Sequence, residues 1–250
     1  MPPPTSPGRP LVLGHRGASA EAPENTLASF RRARDVGADG VELDVRRCAT
    51  GEVVVIHDED ARRTAGAPLR VADAPLAALR ALDAGAWKGE RFRGERIPLL
   101  AEVLEELPGA VVNVELKAQG GDLRLAAAAA EVIRRAGAAG RVVVSSFDAR
   151  LLAAFRAAAP EVRRGFLFER RSLWAVRAAA AVVRLGAAAV HPQAGLVTPA
   201  RARRWRRAGL DVNVWTVDAP AEVRRLSALG VSAIITNVPG EVVRLLQGTS

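Results

Sequence analysis

Residues 111–137 read VVNVELKAQGGDLRLAAAAAEVIRRAG, a β-branched run followed by a long Ala/Leu/Arg segment of helical period that stops at Gly137. That order is one βα unit, with the glycine where a left-handed helix cap is preferred. The same unit recurs along the chain. Strand-like runs fall at LVLG (11–14), VELDV (41–45), VVNVEL (111–116), VVVSS (142–146), GFLFE (165–169), AAVH (188–191), VNVWTV (212–217) and AIIT (233–236), eight in all. Helical patterns follow them, among them TLASFRRARDVGA, ARLLAAFRAAA, SLWAVRAAAAVVRLG (172–186), PARARRWRRAG, PAEVRRLSALG and GEVVRLLQ, with Gly186, Gly209 and Gly230 at further stops. Eight such units in 250 residues predict an α/β fold, a (β/α)₈ TIM barrel; a doubly wound sheet more often ends at five or six strands.

One connection breaks the rhythm. About 65 residues separate the second strand from the third, roughly twice what a barrel unit needs. VVVIHD (53–58) reads as a further strand joined to VELDV by the turn ATGE, and LLAEVLEEL (99–107) as the returning helix. A small insertion after the second strand, about residues 58–98, is therefore expected to rise from the barrel mouth without a core of its own. Residues 1–10 read as a flexible Pro-rich leader, and 11–250 as a single barrel domain.

Composition narrows the function. The chain is 49% apolar with mean hydropathy +0.08, too apolar for a disordered protein. Cys48 is the only cysteine, so an intramolecular disulfide or a Cys-based zinc cluster is excluded. Neither a secretory pattern nor an apolar run of about 18 residues is present, which leads to the expectation of a cytoplasmic protein without membrane insertion. The net charge of +9 is almost wholly arginine, Lys88 and Lys117 being the two lysines. The densest cluster, ARARRWRRAG (200–209), has the spacing of a solvated helix face; the alternative is a polyanion-binding patch.

In such barrels chemistry sits at the C-terminal ends of the strands. Those ends carry His15-Arg16, Glu42 and Asp44, Glu115 and Lys117, His191, Trp215, and Thr236-Asn237. Strand period puts Glu42 with Asp44, and Glu115 with Lys117, on one inward face. Three carboxylates meeting in a low-dielectric mouth need a cation to remain ionised, and an oxygen-only set suits Mg²⁺ or Ca²⁺. The competing reading is an Arg/Lys salt-bridge network. His15 and His57, each after an apolar strand, are candidates for an acid–base pair, whereas His191 reads as structural. Arg16 and Lys117 would add the positive charge that a phosphate requires. Phosphodiester cleavage fits this set, although other metal-assisted chemistry fits it too.

The segments HRGASAEAPENTLASF (15–30), GADGVELDVRRCATGEVVVIHDED (37–60), LDAGAWKGERFRGERIPLLAEVLEEL (82–107), VNVELK (112–117), VSSFD (144–148), VNVWTVD (212–218) and AIITNVPG (233–240) together resemble the glycerophosphodiester phosphodiesterase family. The resemblance implies a divalent-cation enzyme that hydrolyses small soluble glycerophosphodiesters to glycerol 3-phosphate and an alcohol. It implies His15 and His57 as the acid–base pair and Glu42, Asp44 and Glu115 as metal ligands. Arg16 and Lys117 would then contact phosphate, and Trp215 would flank the glycerol. Asn237 departs from the Asp of many members, Leu99 from the Thr that usually follows Ile-Pro, and RTA (63–65) from RTT. Two rivals are a phosphodiesterase acting on lysophospholipids or phosphoinositides to give a cyclic phosphate, and a non-enzymatic polyanion-binding barrel. The scarcity of aromatic residues, 4% with no Tyr, argues against nucleic acid as partner.

Overall fold

The structure, a computed structural model, describes residues 8–117, 120–169 and 186–248. Its strands are β1 (Leu11–His15), β2 (Gly40–Arg47), β3 (Val53–Val55), β4 (Val111–Leu116), β5 (Val142–Ser146), β6 (Arg163–Phe168), β7 (Ala189–Pro192), β8 (Asp211–Val214) and β9 (Ala233–Thr236). β3 apart, each pairs in parallel with the next, and β9 returns to β1, so eight parallel strands close the expected barrel. The seventh run is shorter than its sequence pattern: β8 ends at Val214, and Trp215 makes only an isolated bridge to Gln193.

The described helices are α1 (Leu27–Asp35), α2 (Arg62–Ala65), α3 (Leu76–Arg80), α4 (Leu100–Glu106), α5 (Arg124–Arg135), α6 (Ala149–Ala158), α7 (Pro199–Arg207), α8 (Pro220–Ala228) and α9 (Pro239–Gln247). α5 shows why these segments are helical and which way they face. Leu125, Ala126, Ala129, Ala130 and Ile133 form its buried stripe, while Arg134 and Arg135 end it on the solvent side. Thr26, Asp148 and Thr198 each accept a hydrogen bond from a first-turn amide, capping α1, α6 and α7. Gly137, Gly186, Gly209 and Gly230 all lie at positive φ, between 60° and 73°. α7 buries Ala202 and Trp205 and leaves Arg203, Arg204, Arg206 and Arg207 exposed, the solvated-face reading of 200–209. The leader falls largely, and the helical pattern at 172–186 almost wholly, outside the described residues.

β3 explains the long second connection. It runs antiparallel to β2, pairing Val45 with Val55 and Arg47 with Val53. β1 pairs with the earlier part of β2, up to His15 opposite Glu42. The same edge of β2 thus passes from β1 to β3. Period 2 then divides β3 between two cores: Val53 and Val55 join the main helix–sheet core, whereas Val54 and Ile56 point into the insertion. There they meet Cys48, Ala61, Val71, Ala74, Leu79, Ala84 and Ile97 in a separate apolar cluster. The expectation of an insertion without its own core is corrected on this point, and the reason is the second face of β3.

The barrel interior is filled from below. Leu13, Val111, Ala233 and Ile235 make an apolar plug, above which Asn113, Ser145, His191 and Asn213 are buried. Gly165 makes room for His191: a Cβ there would stand 2.3 Å from His191 Nε2. His191 has no exposed surface, so the ring has nowhere to retreat. Gly165→Ala is expected to cost about 1–3 kcal/mol, as overpacking of a filled core does, and to lower Tm by several degrees. Thermal unfolding checks this, and an unchanged Tm would contradict the packing described.

Candidate active site

The inward strand period that builds the plug also builds the site. Continuing upward by twos, β1 runs Leu13 to His15, β4 runs Asn113 to Glu115 and Lys117, and β6 runs Leu167 to Glu169. His15, Arg16, Glu42, His57, Glu115, Lys117 and Trp215 line one cavity of about 520 Å³ at the C-terminal ends of the strands. Asp44, buried beside Glu115, completes the set predicted from sequence.

The register brings the acids together. Asp44 on β2 pairs with Glu115 on β4, and Glu42 lies two residues earlier on the same face as Asp44. A donor oxygen from each of Glu42, Asp44 and Glu115 lies within 4.8 Å of the others. Lys117 Nζ sits 2.6 Å from Glu115 Oε1 and 3.1 Å from Asp44 Oδ1. Arg16 Nε is 3.1 Å from Asp44 Oδ2, and the Arg16 backbone N–H donates to Glu42 Oε2 at 3.1 Å. Burial alone would raise the Asp44 carboxyl, but Lys117 and Arg16 outweigh it and hold that carboxyl below its usual range. Burial and the Asp44 charge push Glu42 and Glu115 the other way, well above theirs.

The salt-bridge network is present, and it leaves the metal reading open. Two cations hold one acid ionised and leave two under strain, and a hard divalent cation among these oxygens would supply the missing charge. The donor set fits such an ion. Its oxygens are mutually close, and Cys and His are not needed to complete it.

The loop after β1 is shaped for this contact. Arg16 and Asn25 both adopt left-handed backbone, φ 55° and 57°, and the Asn25 N–H donates to the Arg16 carbonyl at 3.0 Å. Asn25 Nδ2 donates to Asp44 Oδ2 at 2.9 Å, tying the PENT segment to the acid cluster. Gly17 is required between them, since a Cβ would lie 2.3 Å from Ser29 Oγ. Arg16 Nη1 donates to Glu24 Oε1 at 2.8 Å, while its buried Nε is turned to Asp44.

The histidines reach the cavity from one edge of β2, His15 at the end of β1 and His57 just past β3. His57 Nδ1 lies 2.7 Å from Asp58 Oδ1, and His15 Nδ1 lies 2.8 Å from Asn237 Oδ1. Burial lowers both from the ordinary imidazole value; the Arg16 charge adds to this at His15, and Asp44 opposes it at His57. His191 stands apart. It packs against Asn213, and burial pushes it down to about 3, so it is a neutral core residue.

Phe147 and Glu169 also line the cavity. Neither was singled out from sequence, although both stand at the ends of quoted strands, where the rule that found the others would have found them. Phe147 meets Trp215 edge to face with ring centroids 5.6 Å apart, and Trp215 Nε1 donates to the His191 carbonyl at 2.8 Å.

Residues 15–241 match the glycerophosphoryl diester phosphodiesterase family. A glycerophosphodiester phosphodiesterase of Caldanaerobacter subterraneus subsp. tengcongensis is 36% identical over 244 residues, covering 95% of this chain and 98% of the relative. A phosphodiesterase of Oleispira antarctica, solved with the product sn-glycerol-3-phosphate, superimposes with TM-score 0.86 at 31% identity, covering 96% of this chain and 97% of that one. The glycerophosphodiester phosphodiesterase of Agrobacterium tumefaciens str. C58 gives TM-score 0.80 at 31% identity, with 94% and 99% covered.

The raised glutamates have a measurable consequence. Without a cation the folded chain keeps protons on Glu42 and Glu115 that the unfolded chain has lost, so stability falls as pH rises toward their raised values. The lowered histidines act in the opposite direction, but only up to about pH 6.5, where unfolded imidazole loses its proton. Between about pH 7 and 9 the glutamates dominate, and Tm of the metal-free protein is expected to fall across that window. Excess Mg²⁺ or Ca²⁺ should flatten the fall. A Tm independent of pH in chelator would contradict the electrostatics of the triad.

Proposed function

Because this chain belongs to the glycerophosphoryl diester phosphodiesterase family, we propose that it hydrolyses small soluble glycerophosphodiesters to glycerol 3-phosphate and an alcohol. The observation that carries this is the meeting of two imidazoles, three carboxylates and two cationic side chains in one cavity. Glu42, Asp44 and Glu115 would hold the divalent cation, Mg²⁺ or Ca²⁺. When bound, that ion supplies positive charge to the phosphate oxygens.

Arg16 and Lys117 face the same point and contribute fixed positive charge where the phosphate gains negative charge. The Arg16 guanidinium, with Nε 3.1 Å from Asp44 Oδ2, would carry its charge beside the phosphate. His57 donates Nδ1–H to Asp58, which leaves Nε2 as its nitrogen for proton transfer. One histidine, neutral, takes a proton from water at Nε2 as the new P–O bond forms, while the other, entering the step as imidazolium, gives its Nε2 proton to the alcohol oxygen as that P–O bond breaks. Trp215 and Phe147 offer an apolar wall to the glycerol carbons, and the departing alcohol faces the open mouth.

His15→Ala and His57→Ala are each expected to lower kcat by about 10² or more without additivity, as loss of a general acid or base does. Near-normal kcat in either variant would make that histidine structural. A coupled assay for glycerol 3-phosphate, with and without chelator, measures both these losses and the metal requirement.

An open mouth also predicts tolerance of the alcohol. Glycerophosphocholine, glycerophosphoethanolamine and glycerophosphoglycerol should turn over within about tenfold of one another, about 1.4 kcal/mol in transition-state binding. Phosphocholine and free glycerol as products would mean that the other ester bond is cut, and a cyclic phosphate would replace hydrolysis with internal transesterification.

A further inference from the structure

Beyond the cavity-lining groups, a polar cluster ties the loop after β1 to the loop after β9. The Asp218 carboxylate accepts three hydrogen bonds from the segment opposite it. The donors are Thr236 Oγ1 at 2.9 Å, the Asn237 backbone N–H at 2.8 Å and Asn237 Nδ2 at 2.7 Å. A carboxylate can only accept, so the amide nitrogen of Asn237 must face Asp218. The amide oxygen then faces the other way. It accepts from Ser19 Oγ at 2.8 Å and lies 2.8 Å from His15 Nδ1. The Asn237 carbonyl also accepts the Ala20 N–H at 3.1 Å, which docks the loop after β1 on the same residue.

An amide oxygen cannot donate, so the ring atom facing it must carry the proton. From Asp218 through Asn237 the hydrogen-bond polarity has one consistent direction, and it ends on the His15 ring. We infer that Asp218 and Asn237 are positioning residues that lock His15 in the Nδ1–H form, leaving the Nε2 lone pair as the atom presented to the reacting groups. The inference rests on the acid–base reading of His15 given above. His57 has its Nδ1 held by a carboxylate directly, whereas His15 reaches one only through an interposed neutral amide. In both rings Nδ1 is the engaged nitrogen, and His15 Nε2 lies 3.9 Å from Glu42 Oε2.

The test exchanges the two residues. In Asp218→Asn the new amide still accepts from Thr236 and the Asn237 N–H, but its NH₂ now faces Asn237. Asn237 must turn its oxygen to meet it, presenting NH₂ to His15 Nδ1 and favouring the Nε2–H form. In Asn237→Asp two carboxylates face each other at hydrogen-bond distance. The double variant Asp218→Asn/Asn237→Asp restores a donor opposite an acceptor at every contact, and again places an acceptor on Nδ1.

Histidine-¹⁵N NMR of the Mg²⁺-loaded protein at about pH 8, where ordinary imidazole is neutral, reads the tautomer directly in a chain with three histidines. Expected are Nδ1–H for His15 in the natural protein, Nε2–H in Asp218→Asn, and Nδ1–H again in the double variant. In parallel, kcat of Asp218→Asn should fall by about 10² with KM little changed, as a misplaced imidazole proton costs, and the double variant should recover most of it. Thermal melts confirm that each variant is folded. An unaltered His15 tautomer in Asp218→Asn, or a double variant no better than the worse single one, would overturn the inference. Unchanged kcat in His15→Ala, with the tautomer shifts present, would instead remove the catalytic reading of His15 and leave the positioning intact.

Discussion

Three carboxylates share the mouth of this barrel, and most of what surrounds them answers that fact. Parallel pairing of β2 with β4 sets Asp44 opposite Glu115, and the two-residue strand period adds Glu42 on the same face. Solvent is nearly excluded there, so their charges repel strongly and are poorly hydrated. Lys117 and Arg16 relieve Asp44 and leave the two glutamates raised. The geometry that strains them is also the geometry of an oxygen-lined cation site.

The chain around the triad brings two histidines to it. β1 yields the edge of β2 at His15, and β3 takes the edge over, so His57 reaches the same mouth from the opposite direction along the chain. That exchange requires β3 to be buried on both sides. The apolar cluster of the insertion, built on Val54 and Ile56, covers its second face. Lys88 Nζ on the Ser19 carbonyl at 2.7 Å and Arg63 on Glu24 then fasten the insertion to the loop that carries Arg16. The insertion and the loop that carries Arg16 are thus joined by short contacts.

The barrel was readable from sequence because its signals are local: a strand run, a helical stripe and a glycine stop, repeated. The site was readable for the same reason, since Glu42, Asp44, Glu115 and Lys117 are placed by strand period alone. What escaped depends on distant partners. Asp218 lies 19 residues from Asn237 and Asn237 lies 222 from His15, so no window contains their relation. The insertion's core is drawn from Cys48, Val54, Val71, Leu79 and Ile97, scattered without a period among short turns. Phe147 and Glu169 are a different case, for their strand-end positions were visible and only the cavity makes them neighbours of Trp215.

A divalent cation taken up by the buried triad of Glu42, Asp44 and Glu115 would displace the protons that the two raised glutamates keep. Isothermal titration of Mg²⁺ or Ca²⁺ into the metal-free protein, in two buffers of different ionisation enthalpy near pH 7.5, measures both quantities at once. One saturable site per chain with net proton release, lost in Glu42→Gln, is expected. Absence of saturable binding, or binding without proton release, would contradict it.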